Sequence, residues 1–210
     1  MSFKTWYESE VRRVAMRAMS GLARTRVSPN ALTAAGVSLC AAAAVLATFE
    51  YRDEVLFFWL GAGIFVLGSI LDILDGALAR AGGKTTPFGA FLDSTTDRVS
   101  EGFMLGAIAL IESRNGNTTS LAFTIAAIAG SFLVSYTRAK AEILGLRGNM
   151  GIGSRAERVA LITVGLVLAP WGALSIAIYV LAAMAWITVV PRILAVRTQL
   201  RERDANRTAG

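Results

Sequence analysis

The chain has 210 residues, of which 54% are hydrophobic and only 17% charged, against roughly 25% charged in an ordinary soluble domain. That balance excludes disorder, a coiled coil and an ordinary cytosolic enzyme. There is no histidine, so His-ligated zinc, a Ser-His-Asp triad and a histidine base are all excluded; the formal net charge is +6.

The chain opens on residues 1–27, where Trp6, Val11, Val14, Ala18 and Leu22 recur near helical spacing. Lys4, Arg12, Arg13, Arg17 and Arg24 lie between or opposite them. This pattern predicts a basic amphipathic helix on a membrane surface. No continuous apolar core precedes its charges, as a signal peptide would require. Ser28-Pro29-Asn30 breaks the helix and leads into long apolar segments. A membrane span needs about 20 mostly apolar residues. Six segments meet or approach that length: 31–49, 55–80, 88–112, 118–140, 157–170 and 172–196. The fifth is short at its core and extends back toward Ser154, and Pro170-Trp171 marks the turn into the sixth. Short loops predict one helical bundle over 28–198, followed by a basic tail at 199–210. Cys40, the single cysteine, lies in an alanine-rich run and reads as a buried, inert thiol.

Charge sets the orientation. Crossing six times places all but two of the 21 Lys and Arg on one side. The other side keeps only Arg52 and Arg114. The positive-inside rule makes the rich side, with both termini, cytoplasmic. The basic arm and tail suit anionic lipid headgroups, and six apolar spans fit poorly with nucleic-acid binding. The expectation is an all-α protein of the cell membrane, with six transmembrane helices behind a surface helix.

Four aspartates break the apolar pattern: Asp72 and Asp75 in the second span, Asp93 and Asp97 in the third. Within a span such groups must be paired, hydrated or bound to a cation. At 100° per residue, Asp72, Asp75, Gly76, Ala79 and Arg80 share one face, and Gly89, Asp93 and Asp97 share one face of the next helix. The short linker, with Gly82-Gly83 and Pro87, makes these helices antiparallel neighbours whose acidic faces converge near the cytoplasmic end. The small residues Gly76, Ala79 and Gly89 keep the cleft open. An all-carboxylate donor set favours Mg²⁺ or Mn²⁺ over zinc. Four carboxylates suffice for two ions about 4 Å apart, an arrangement suited to phosphoryl transfer. Arg80, on the same face, can pair with a diphosphate.

The spacing Asp72-x2-Asp75-Gly76-x2-Ala79-Arg80-x8-Gly89-x3-Asp93-x3-Asp97 resembles the signature of the CDP-alcohol phosphotransferases, with every fixed position present. The six-span layout, the N-terminal helix and Ser28-Pro29-Asn30 with Leu32-Thr33 and Gly36 resemble the family too. The resemblance implies transfer of a phosphatidyl group from a CDP-linked lipid to an alcohol, with release of CMP. Asp72, Asp75, Asp93 and Asp97 would hold two ions, and Asp97 would also serve as general base. Asn30, Thr33, Asp72, Gly76, Ala79, Arg80 and Gly89 would lie against the CDP donor. A homodimer is implied as well, through spans three and four, where Gly102, Gly106 and Gly130 permit close approach.

The acceptor is addressed by basic residues on the same side as the aspartates. They lie in Ser135-Tyr136-Thr137-Arg138-Ala139-Lys140-Ala141-Glu142, in Arg155-Ala156-Glu157-Arg158, and at Arg192. They can form a pocket for a phosphate dianion, or simply face lipid headgroups. These stretches resemble the branch of the family that uses inositol 1-phosphate with CDP-diacylglycerol. The resemblance places the acceptor phosphate at Arg138, Arg158 and Arg192. Arg138 stands where that branch often has lysine, so another phosphorylated alcohol stays open, glycerol 3-phosphate first. A different class, a divalent-cation or proton transporter, would also place aspartates in the membrane.

Overall fold

A computed structural model of the chain describes residues 28–81, 85–146 and 152–208. The expected surface helix at 1–27 and the linker glycines lie outside these. Among the described residues the secondary structure is all helical. Six α-helices run as α1 (Pro29–Ala47), α2 (Glu54–Ala81), α3 (Pro87–Arg114), α4 (Thr118–Ile143), α5 (Arg155–Val167) and α6 (Ala173–Thr208). Each overlaps one of the six apolar segments.

Local chemistry sets the helix starts. Ser28 and Thr86 cap α1 and α3, each followed by proline, which fits the first turn because its missing N–H would have no helical partner there. Asn117 caps α4 by accepting from the Ser120 N–H at 3.1 Å. Ser154 and Glu157 form a reciprocal capping box on α5. A 3-10 turn, Ala169–Trp171, then ends at Gly172 with φ +78°, and reverses the chain into α6.

Four helices are long and apolar enough to cross a membrane: Asn30–Ala47, Glu54–Arg80, Thr118–Ile143 and Ala173–Ala205. The other two fall short for different reasons. α3 carries Asp93, Asp97, Arg98, Glu101, Glu112 and Arg114, which lower its hydropathy. α5 has only 13 residues. α6 continues through residues 199–208 of the expected basic tail, to Thr208. No glycine or proline interrupts 199–208, and Arg203 donates to the Leu144 carbonyl at 3.1 Å, satisfying a group just past the end of α4.

The core is built from Phe65, Met104, Leu105, Ile108, Ile162, Leu166, Ile178 and Leu181. Other large apolar side chains, such as Leu67, Ile70, Leu110 and Ile176, face outward, as the sheath of a membrane bundle does. α1 packs on both α2 and α3; α4 packs on α3 and α6; α5 packs on α2 and α6. The α1–α2 contact is very close, because a Cβ on Gly68 would stand 2.7 Å from Cys40 Sγ and 2.8 Å from the Gly36 carbonyl. α2 and α3, expected as close neighbours, touch only lightly, with α1 packed against both. The separation leaves room at one end for the acidic cleft. At the other end Arg114 closes the bundle: it donates to the Thr48 carbonyl at 2.7 Å, pairs with Glu50 and lies 5.1 Å over the Tyr51 ring. Gly130, expected at a subunit interface, serves the fold of one chain instead: a Cβ there would meet Ala185 Cβ at 2.7 Å.

Candidate metal and nucleotide site

Three helices supply the site. α2 contributes Asp72 and Asp75, both buried. α3 contributes Asp93 and Asp97 from its first turns. α1 contributes Asn30 and Thr33, and the Thr33 hydroxyl donates to Asp75 Oδ2. Thr86 orients the start of α3, its hydroxyl accepting from the Gly89 N–H at 2.9 Å.

One ligand oxygen from each of Asp72, Asp75 and Asp93 lies within 4.8 Å of the others. Like charges this close and this buried are stable only with a positive partner. Asp72 Oδ1 is buried with no hydrogen-bond partner among the described residues. An acceptor left open, on an all-carboxylate triad, fits a hard divalent cation with oxygen preference. Asp97 stands beside the triad. Its carboxylate and that of Asp72 share one guanidinium, that of Arg155 at the start of α5. Arg98 lies 3.6 Å from the same Asp97 carboxylate.

Beside the triad opens a cavity of about 310 Å³. Its walls include Asn30, Thr33, Asp75, Gly76, Ala79, Arg80, Gly89 and Asp93. Six of the seven positions expected at the donor therefore line one cavity; the seventh, Asp72, lies in the triad. Arg80 folds back over Gly76, where a Cβ would stand 3.4 Å from its guanidinium. The cavity thus offers a guanidinium on one wall and carboxylates on another.

Of the three arginines expected at the acceptor phosphate, Arg138 and Arg192 stand near enough for their charges to interact, while Arg158 is engaged by Glu101. Arg158 is buried, and each of its three guanidinium nitrogens already donates: two to Glu101 at 2.8 Å and one to the Gly153 carbonyl at 2.7 Å. Arg192 is also buried, donates to the Val134 carbonyl, and lines a separate cleft of about 140 Å³ with Thr137 and Lys140. Arg138 is exposed and pairs with Glu142 one turn on at 2.9 Å. The guanidinium that bridges Asp72 and Asp97 is that of Arg155, which the sequence marks only as part of a basic stretch. Glu101 is a residue that sequence reasoning misses. Its signal is a further carboxylate four residues after Asp97 on the acidic face of α3.

The chain is similar to known proteins over most of its length. The model of a family described as CDP-alcohol phosphatidyltransferase matches residues 26–194. An archaetidylinositol phosphate synthase of Pyrococcus horikoshii is 37% identical over 184 residues, 85% of this chain and 88% of that one. A crystal structure of Mycobacterium tuberculosis phosphatidylinositol phosphate synthase with CDP-DAG bound superposes with a TM-score of 0.77 at 31% identity, covering 88% of this chain and 94% of that one. The same enzyme in complex with manganese and citrate gives 0.78 at 30%, covering 88% and 89%.

Proposed function

The chain belongs to the CDP-alcohol phosphatidyltransferase family, and on that premise we propose that it transfers the phosphatidyl group of CDP-diacylglycerol to inositol 1-phosphate, releasing CMP. The observation that carries this reading is the carboxylate triad set into the wall of the 310 Å³ cavity, beside Arg80 and the small residues Gly76, Ala79 and Gly89. A path for a divalent cation or a proton gives no reason for the guanidinium of Arg80 beside the carboxylates.

In the reaction the acceptor hydroxyl oxygen attacks the phosphorus that bears the diacylglycerol. The bond from that phosphorus to the oxygen bridging the diphosphate breaks, and CMP leaves with that oxygen. Asp97 takes the hydroxyl proton. Asp72, Asp75 and Asp93, with Asp97 as a further ligand, would hold two divalent ions. Bound there, Mg²⁺ or Mn²⁺ would offset charge on the diphosphate and on the leaving CMP. Asn30, Thr33 and Arg80 orient the cytidine diphosphate portion, and Gly76, Ala79 and Gly89 let it approach the backbone. Arg155 presents positive charge beside Asp97, where a phosphorylated acceptor would be met.

All six helices belong to the membrane in this reading, α3 and α5 with their polar faces turned inward. The arginine-rich side, and with it the site, faces the cytoplasm. The lipid chains enter laterally between helices. Pairing of two copies would use the outward face of α3, where Gly106 has open space beside it.

Release of CMP by the purified chain, with CDP-diacylglycerol and Mg²⁺, tests the proposal. Inositol 1-phosphate, glycerol 3-phosphate, serine and free inositol are compared as acceptors, and an ether-linked donor is run beside the ester. Release driven by inositol 1-phosphate alone is the expected result. Release driven by glycerol 3-phosphate alone would keep the chemistry and overturn the acceptor. No release with any pair would overturn the reaction.

A further inference from the structure

We propose that Glu101 and Arg158 form a positioning pair that holds Arg155 against Asp72 and Asp97 without either member touching a substrate. The inference rests on the reaction proposed above for its kinetic consequence, but its geometry stands apart from it. The Arg158 fork meets the Glu101 carboxylate through two hydrogen bonds of 2.8 Å, and the two residues are 4% and 2% exposed. Its remaining nitrogen donates to the Gly153 carbonyl. Three of its five N–H donors, one on each nitrogen, are thus committed inside the protein, and the fork itself is taken up by Glu101.

The register of two helices explains what the pair achieves. On α3, Glu101 lies one turn beyond Asp97; on α5, Arg158 lies one turn beyond Arg155. Arg155–Asp97 and Arg158–Glu101 are therefore successive rungs between the same helices. α5 packs on α2 and α6, and α3 packs on α1 and α4, so the rungs carry α5 across to α3. The inner rung is dry and forked; the outer one reaches the site. The loop before α5 is braced as well. Glu157 accepts from the Gly153 and Ser154 N–H groups at 2.8 and 2.7 Å, Arg158 takes the Gly153 carbonyl, and Gly153 holds φ +91°. The first turn of α5 cannot swing, nor Arg155 withdraw, while the inner rung is intact.

Arg155 competes with any cation for the carboxylates of Asp72 and Asp97, so its placement can be read without turnover. The test measures Mn²⁺ affinity from the free-ion electron paramagnetic resonance signal, together with KM for donor and acceptor, on monodisperse full-length protein. Arg158→Lys keeps the charge and loses the fork. It should tighten Mn²⁺ binding about threefold as Arg155 is released, and raise the KM for inositol 1-phosphate about tenfold with donor KM unchanged. Glu101→Gln, at a residue that repels rather than binds phosphate, should act in the same direction. Unchanged Mn²⁺ affinity in folded Arg158→Lys and Glu101→Gln would overturn the proposal. So would a folded Glu101→Gln whose acceptor KM is unchanged while that of Arg158→Lys is raised, since Arg158 would then touch the acceptor itself. If wild type releases no CMP, the reaction is what fails, and the Mn²⁺ series still decides the pairing.

Discussion

At Asp93 a change to asparagine keeps the shape of the side chain and removes one of the crowded negative charges. Loss of a residue that merely orients a metal ligand costs about 10–100-fold, so loss of a ligand should cost about 100-fold or more in CMP release. Stability should move the other way. Asp93→Asn relieves repulsion from Asp72 and Asp75, so thermal unfolding in the absence of metal should occur at the same temperature or higher. A lower unfolding temperature would mean that Asp93 serves the fold and not a cation. The aspartates were legible in the sequence because a carboxylate in an apolar run is costly without a cation or a partner, and because their spacing fixes a helix face. The arginines were not. Sequence places a guanidinium on a side of the membrane, but its partner is chosen by packing between distant helices. Arg158 finds Glu101, 57 residues away, and Arg155 finds Asp72, 83 residues away.

α1 and α2 meet through paired glycines, and the pairing fixes where Thr33 and Asp75 can meet. A Cβ on Gly36 would stand 2.9 Å from the Gly68 carbonyl, and one on Gly68 would stand 2.8 Å from the Gly36 carbonyl. Both obstacles are backbone, which cannot rotate away. Gly68→Ala should therefore push the helices apart at a cost of about 1–3 kcal/mol and weaken the Thr33–Asp75 hydrogen bond. Gly63→Ala, where nothing lies within 4 Å, is the matched control on the same helix. Thermal unfolding and CMP release of the two variants check this: Gly68→Ala should fall in both, Gly63→Ala in neither. The six helices themselves were readable from apolar length, and the start of the first from Ser28-Pro29-Asn30. That α1 packs against both acidic helices was not, since the short linker alone made α2 and α3 close neighbours. The extension of α6 past residue 198 was hidden by its charges, which mark a solvent-facing stretch but do not end a helix.

Across the whole molecule, charge sorts the two ends. Arg52 and Arg114 sit together around the Tyr51 ring at one end, and the aspartate cavity opens at the other. The proposed orientation can be checked with thiol labelling, because Cys40 is buried and gives little background. Thr119→Cys, at the start of α4, and Arg201→Cys, on the extension of α6, both lie at exposed positions. A membrane-impermeant maleimide applied to intact cells should label Thr119→Cys alone, and both variants after permeabilisation. Labelling of Arg201→Cys in intact cells would invert the topology and turn the site outward.

The shortness of α5 bears on how a lipid reaches that site. Its 13 residues span about 20 Å, while the hydrocarbon of a bilayer is about 30 Å thick. A bilayer meets a short helix by thinning around it, at small cost per ångström. In the six-span arrangement the thinning falls beside the first turn of α5, where Arg155 stands over Asp72 and Asp97. The headgroup plane would then be drawn down toward the carboxylates. A diphosphate would reach the aspartates while its acyl chains remained in hydrocarbon, and the protein would lower the leaflet to the chemistry instead of lifting the lipid out of it.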